Sequence, residues 1–318
     1  MTVVTPFYNT ARYLEQAIRS VLAQDYGNFE YILSDNRSTD GSLDIARRYE
    51  QLDGRIKVRA HEEFIGQDAN YNRALRYMSP DSAYCKVVQA DDWIEPQCLT
   101  QMVAAGERHP SAGIIAACFI AGRLIGGGGL PFDREMFSGR EACRTRLTTG
   151  GTYFGSPSCL MYRASVVRAR EPFYDEAEMN ADTQACFEIL AGSDFVRVPQ
   201  ILMTLRRQDD SISSGLERYN PQLLLTYILT YKYGPKFLEP AELARAQRTI
   251  RKRYYEMLAS ARLNGAPAAF WEFHRKELAR IGDKVRTGGV AAALCGLAAD
   301  KVLNPKRTVE QLTQKWRS

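Results

Sequence analysis

Two acidic groups stand at the ends of short apolar runs. Tyr31-Ile32-Leu33 leads to Asp35, and Val87-Val88-Gln89-Ala90 leads to the pair Asp91-Asp92. Both runs read as buried strands in an alternating β/α pattern. Ligands of open α/β sheets bind just beyond the carboxyl ends of strands. Three carboxylates delivered there are poorly explained by folding alone, because buried or crowded acids are costly unless a cation or hydrogen-bond donors meet them. A metal-bound diphosphate with a sugar and a base would supply such partners.

The elements that must carry these acids follow from hydrophobic spacing. A short strand over 2–5 and a turn over 6–9 lead to a helix over 11–24 with Leu14, Ile18, Val21 and Leu22 on one face. A strand over 30–33 follows, then a loop over 35–42 whose Asp, Asn, Ser and Gly suit turning and capping of a helix from about 43. Asp40 reads as a helix cap beside the N-terminal dipole. Further strands are expected over 55–59, 84–89 and 113–119, with helices over 69–77 and after Glu95-Pro96. Strands alternating with helices imply a mostly parallel, doubly wound sheet. The glycine run 126–129 reads as an irregular, flexible segment. A strand over 158–162, a helix over 182–191 ended by Gly192, and two paired strands, 195–198 and 201–205, around Pro199 complete this part. Beyond about 216 the pattern is helical, cut by Pro221, Pro235, Pro240, Pro267 and Pro305.

Bulk composition narrows the class. The chain has 318 residues, 45% hydrophobic and 25% charged, enough for a sizeable core with an appended region. Its seven cysteines form no Cys-x-x-Cys pair, which favours buried reduced thiols over a disulfide framework or a zinc site. His61, His109 and His274 are far apart, so any metal is expected to be a hard cation held by oxygen. No signal peptide is visible, and the weakly polar stretch 288–299 is too short to span a bilayer, so a cytoplasmic location is expected. From Lys232 onward there are about 18 Lys/Arg against about 8 Asp/Glu, roughly +10, which leaves the rest near −5. This tail is either a solvated helical face or a surface for anionic lipid on the inner face of a membrane or for a charged carrier. The basic residues lie away from the strand ends, which disfavours a nucleic-acid binder.

Taken together, Val3-Val4-Thr5-Pro6-Phe7-Tyr8-Asn9, then Tyr13-Leu14, Ser20-Val21-Leu22 and Gln24, then Asp35-Asn36-Arg37-Ser38-Thr39-Asp40-Gly41-Ser42, then Ala90-Asp91-Asp92 resemble glycosyltransferase family 2, inverting enzymes of the GT-A fold. The resemblance covers roughly residues 2–213, and the ordered set is specific where a lone Asp-Asp would be weak. It implies a Rossmann-like, mostly parallel central sheet flanked by helices, with a helical C-terminal region. It divides the chain into a donor-binding half (1–119), an acceptor and catalytic half of the same domain (120–215), and a basic helical region (216–318). The implied reaction moves a sugar from a UDP- or dTDP-sugar to the hydroxyl of a saccharide or lipid-linked acceptor, in bacterial-type surface polysaccharide or glycolipid synthesis.

The resemblance also assigns roles. Thr5, Pro6 and Tyr8 lie where the family meets its nucleotide, with a turn residue before Pro6 as the alternative for Thr5. Asp35 corresponds to the acceptor of the uracil or thymine imide N–H. Asp92 would bind Mg²⁺ or Mn²⁺ on the diphosphate, and Asp91 the ribose or the metal. Gly66-Gln67-Asp68-Ala69-Asn70-Tyr71-Asn72-Arg73 resembles the family's Gly-x-x-x-Ala-x-x-Asn stretch. That makes Asp68 and Asn72 donor contacts or helix caps. Asp182, after Asn180-Ala181 at a helix start, corresponds to the general base, with Asp175, Glu176 and Glu178 as nearby substitutes. Gly155-Ser156-Pro157-Ser158 resembles the small-residue segment near the donor sugar and acceptor. In Leu205-Arg206-Arg207-Gln208, Arg206 or Arg207 would hold phosphate, and Gln208 stands where relatives place a metal-contacting His. Gln89 stands where many members have an acid, and Tyr71 where many have Arg. These departures motivate the competing reading, a non-catalytic nucleotide-sugar-binding homologue within an assembly complex. A sugar nucleotidyltransferase is disfavoured, since residues 5–9 are not a Gly-rich phosphate loop.

Overall fold

The computed structural model describes residues 1–206 and 218–303. The chain divides into two compact units, Met1–Ser211 and Ile212–Ser318.

In the first unit, strand β1 (Thr2–Phe7) is buried along its whole length. It lies parallel to β2 (Glu30–Asp35), with Thr2 opposite Glu30 and Phe7 opposite Asp35. β3 (Ile56–Ala60) pairs parallel to β2, and β4 (Tyr84–Val87) parallel to β1 on its other side. Chain order therefore runs one way from β1 to β3 and the other way to β4. That reversal leaves a crevice at the carboxyl ends of β1 and β4, where α/β sheets bind ligands. β1 runs two residues past the expected Thr5. Its pairing with β4 ends at Val4, so Pro6 sits where its missing N–H breaks no ladder on that side. The helices α1 (Ala11–Leu22), α2 (Ser42–Leu52) and α3 (Gln67–Arg76) connect these strands. α1 packs through Leu14, Ala17, Ile18 and Val21, one face at helical spacing.

The rest of the sheet is mixed. After the short β5 (Trp93–Ile94) and α4 (Cys98–Arg108), β6 (Ala112–Ala121) carries the hairpin strand β7 (Leu124–Gly126). β8 (Met136–Phe137), α5 (Gly139–Thr149), β9 (Leu160–Arg163), α6 (Ala164–Arg168), α7 (Ala181–Ile189) and β10 (Asp194–Leu205) follow. The order across the sheet is β3-β2-β1-β4-β9-β6-β10-β5. β9 runs antiparallel between β4 and β6, while β10 is parallel to β6.

Two expectations are corrected. The segments on either side of Pro199 are one strand, β10, and not a pair. The register steps from Val198↔Ala117 to Ile201↔Cys118, so Pro199 and Gln200 are accommodated in a bulge. The glycine run is closely packed at Gly126, Gly127 and Gly129, where an added Cβ would meet neighbouring atoms, and open only at Gly128. A Cβ on Gly126 would fall 2.0 Å from the Phe119 ring. Thr152 stitches the turn by accepting the Gly127 N–H through Oγ1 and donating its own N–H to the Gly128 carbonyl. Arg197 of β10 is fully buried and donates to the carbonyls of Leu130 and Pro131 beneath the Phe132 ring.

The second unit is helical: α8 (Pro221–Lys232), α9 (Gly234–Phe237), α10 (Pro240–Leu263), α11 (Ala268–Arg280) and α12 (Thr287–Leu303). Pro221, Pro235 and Pro240 each open a helix, where a missing N–H breaks no helical bond. His274 is buried in this unit. Its Nε2 donates to the Tyr219 carbonyl and its Nδ1 accepts from the Tyr254 hydroxyl, and burial pushes its pKa down to about 4. It is a neutral core histidine. None of the seven cysteines is in a disulfide, and six are buried as expected; Cys295 is exposed.

Candidate active site

The loops after β1 and β2 are tied to each other at the carboxyl edge. Asn9 donates its backbone N–H to Ser38 Oγ, and its side-chain oxygen accepts the Thr39 N–H at 2.8 Å. The Thr10 N–H reaches Ser42 Oγ at 2.8 Å. Asp40 accepts the N–H of Ala11 at 2.9 Å and of Ser42 at 3.0 Å. One carboxylate thus serves the first turns of both α1 and α2, whose own preceding residues supply no side-chain cap. Burial pulls the Asp40 pKa up, but the Ser42 hydroxyl and the backbone donors outweigh it and leave the group low.

Asp35, the last residue of β2, is 1% exposed and accepts the Ser38 N–H. Asn36 clamps Ile65 by accepting its N–H and donating to its carbonyl. This brings Phe64 onto Tyr8, with ring centroids 4.6 Å apart. Both rings are exposed and form an aromatic ledge at the end of β1. Thr5 and Pro6 are both buried. The Thr5 hydroxyl donates to the Val88 carbonyl at 2.8 Å and pairs with the Tyr31 hydroxyl at 2.9 Å. Its side chain fastens β1 to the segment after β4.

The Asp91-Asp92 pair follows β4. Asp92 is 4% exposed. It accepts the backbone N–H of Arg206 at 3.0 Å and a bond from Ser158, whose Oγ also accepts the Gln89 N–H. Burial first, then the neighbouring Asp91 charge, push its pKa up to about 7 despite those donors. Arg206 reinforces the loop: Nε donates to the Asp91 carbonyl and Nη2 to Gln16 Oε1. Its guanidinium lies 4.2 Å from the Tyr13 ring centre and 5.3 Å from that of Trp93. Gln208 lies outside the described residues.

Beneath the pair is a residue that motif reasoning missed. Lys86 in β4 is fully buried, and its ammonium donates to the carbonyls of Val87 and Ser158. No carboxylate touches it, and burial lowers its pKa. Lys86 holds Ser158, and Ser158 holds Asp92. The signal was a lysine interrupting the apolar run Tyr84-Cys85-Lys86-Val87-Val88.

The third acid lies at the start of α7. Asp182 is half-buried and accepts the Thr183 N–H at 2.7 Å, and burial raises its pKa. Asp68, on the first turn of α3, is pushed up to about 6 by burial and then by the charges of Asp182 and Glu176. Asn72 has its amide engaged: it donates to the Tyr174 carbonyl and to Glu176 and accepts the Tyr174 N–H. That geometry makes it a brace between α3 and the loop before α7. The Tyr71 phenol is buried and bonded to Gln89, and its pKa is raised by burial first and then by the charges of Asp91, Asp92 and Asp182.

The donor set fits a hard divalent cation. Two adjacent carboxylates, one almost fully buried and destabilised by the other, provide oxygen ligands of the kind Mg²⁺ combines with substrate phosphates. Among the described residues no cluster of three or more His, Cys, Asp or Glu could hold a metal. The remaining ligands would therefore come from elsewhere.

Comparison with known proteins agrees with this architecture. The family model Glycosyl transferase family 2 matches residues 2–170. TuaG of Bacillus subtilis (strain 168), named for teichuronic acid biosynthesis, is 33% identical over 135 residues, 42% of this chain and 51% of that protein. The chain spans about half the length of the curated relatives it matches. Among solved structures, Staphylococcus aureus TarS 1–349 in complex with UDP-GlcNAc superposes with a TM-score of 0.63 at 17% identity, over 88% of this chain and 80% of that one. The mannosyltransferase PcManGT from Pyrobaculum calidifontis, in complex with GDP-Man and Mn²⁺, superposes with a TM-score of 0.57 at 16% identity, over 96% and 81%. The fold is that of GT-A glycosyltransferases. The chain belongs to glycosyl transferase family 2.

Proposed function

We propose that this chain is an inverting, metal-dependent glycosyltransferase that uses a UDP- or dTDP-sugar and a hydroxyl acceptor. The observation that carries the reading is the Asp91-Asp92 pair after β4 in a chain of this family, with Asp92 almost fully buried and tied to the Arg206 N–H. It sets acids suited to a metal-bound diphosphate at the carboxyl edge of the sheet.

In this reading Asp35 accepts the imide N–H of the base, and Tyr8 with Phe64 walls the base off. Asp91 and Asp92 hold Mg²⁺ or Mn²⁺, and when bound the cation neutralises charge on the departing diphosphate. Asp182 faces the acceptor side. Burial makes it a better base than an exposed aspartate, so it takes the acceptor proton as that oxygen bonds to C1 and the C1–phosphate oxygen bond breaks. Attack opposite the leaving group inverts C1. The acceptor would lie along the 120–215 half. A saccharide or lipid-linked acceptor of a bacterial-type surface polymer is supported by the names of two relatives, TuaG and the poly(ribitol-phosphate) β-N-acetylglucosaminyltransferase TarS.

Calorimetric titration of UDP, dTDP, GDP and CDP, with and without Mn²⁺, tests the donor site on wild type and Asp92→Ala. The expected result is Mn²⁺-dependent binding of UDP or dTDP that is lost in the variant. Binding that ignores both metal and Asp92 would sink the metal assignment. The competing reading, a binding-only homologue, rests on Gln89 and Tyr71 replacing charged family residues. Donor binding without turnover of any donor, in wild type as in Asp182→Asn, would favour it.

A further inference from the structure

The second unit holds a feature that glycosyl transfer does not use. A cavity of about 540 Å³ opens between α10 and α12. Its rim carries Arg248, Arg251, Lys252 and Arg286, with Glu256 as the acid among its lining residues. Two acids stand near these cations, but only at long range: Glu256 is 3.9 Å from Lys252 and Asp283 is 3.7 Å from Arg286. A positive excess remains. The floor is apolar and small-sided, formed by Tyr255, Gly289, Ala292, Ala293 and Gly296. It is also built tightly. A Cβ on Gly289 would fall 2.4 Å from Tyr255 Cε1, and the Tyr255 hydroxyl accepts the Arg286 N–H at 3.1 Å.

The flanking helix adds a separate observation. Residues 287–299 of α12 contain no charged side chain, and none of them is buried. A helix without a polar face is ordinarily covered by protein or lipid. No helix among the described residues is long and apolar enough to cross a membrane, and α12 sets its uncharged residues directly beside the basic rim of the groove. A polynucleotide would also meet the cations, but the uncharged helix offers its phosphates nothing.

We propose that this groove and α12 form a docking site for an anionic phospholipid surface. The headgroup phosphate sits among Arg248, Arg251, Lys252 and Arg286, and the uncharged face of α12 lies along the adjoining acyl region. The inference is independent of the donor-site reading.

The test is co-sedimentation of the full chain with vesicles of phosphatidylcholine alone or mixed with phosphatidylglycerol. Binding is expected only with phosphatidylglycerol. Replacing both Arg248→Gln and Arg251→Gln should weaken partitioning about thirtyfold, at the usual contribution of a basic residue near such a surface. Ala292→Glu, which sets a carboxylate in the groove, should weaken it as well. Arg253→Gln with Arg262→Gln, exposed but outside the groove, should have a much smaller effect. Equal loss from the two arginine pairs would overturn the site in favour of diffuse surface charge. Release of the protein by inorganic phosphate, or vesicle binding unchanged in the groove variants, would overturn it too. Circular dichroism of each variant separates lost binding from lost folding.

Discussion

The two sides of the sheet's carboxyl edge treat their carboxylates in opposite ways. On the side of β1 and β2, Asp35 and Asp40 are met by backbone N–H groups, and Asn9, Ser38, Thr39 and Ser42 knit the loops together. On the side of α3, α7 and the end of β4, Asp68 and Asp92 are pushed well above the ordinary carboxylate range, and Asp182 is raised as well. On the first side protein donors already meet the carboxylates. The second concentrates negative charge, and among the described residues none of these three acids has a salt bridge. Such charge is a demand that a cation, or a proton taken from a substrate, can meet.

If that difference separates chemistry from framework, the largest effect belongs to Asp182→Asn. Loss of a general base lowers turnover by about a hundredfold to ten-thousandfold. UDP affinity should change little, because the amide keeps the size of the side chain. Turnover above a tenth of wild type would remove Asp182 from the role. Lys86→Met comes next. It leaves the Ser158 and Val87 carbonyls without the ammonium, at a cost of about 1–3 kcal/mol. Tm should fall by several degrees, and Mn²⁺-dependent UDP binding should weaken because Ser158 steadies Asp92. Normal binding at lowered Tm would confine Lys86 to the framework.

Asp40→Ala probes the knitted side and should be milder. Losing a capping carboxylate costs about 1 kcal/mol, or a few degrees of Tm for a domain of this size. Turnover per folded molecule should stay near wild type. A large drop in turnover would erase the distinction between the two sides.

Much of this arrangement was legible because apolar runs end in acids. The runs before Asp35 and Asp91-Asp92 located strand ends, and Asn180-Ala181-Asp182 located the start of α7. What escaped depended on side-chain direction and distant packing. β1 is buried on both faces, so no polar alternation showed that Thr5 turns inward. Pro199 looked like a break because a proline signals one locally, and only the neighbouring β6 shows that the strand continues through a bulge. The glycines of 126–129 looked flexible in isolation, and their reason is the approach of Phe119 and of the Thr152 turn. Tyr71 was read as a lost arginine. Its bond to Gln89 after β4 and its ring contact with Tyr174 join segments far apart in sequence, which no local pattern encodes.

The smallest predicted effect sharpens the comparison through pH. Asp68 titrates near 3.8 when unfolded and near 6 in the folded chain, so between those values the folded state holds a proton that the unfolded state has lost. Raising the pH through that window removes the proton and costs stability, the reverse of a salt-bridged aspartate. Asp68→Asn abolishes this component. The variant should match wild type in Tm near pH 4 and exceed it above pH 6, with the gap opening between the two. Asp40 has the opposite shift, so Asp40→Ala should lose its disadvantage as the pH falls through the acid range. A Tm gap for Asp68→Asn that is flat with pH would mean that neither burial nor the charges of Asp182 and Glu176 raise the Asp68 pKa in solution, and that side would then be open to solvent.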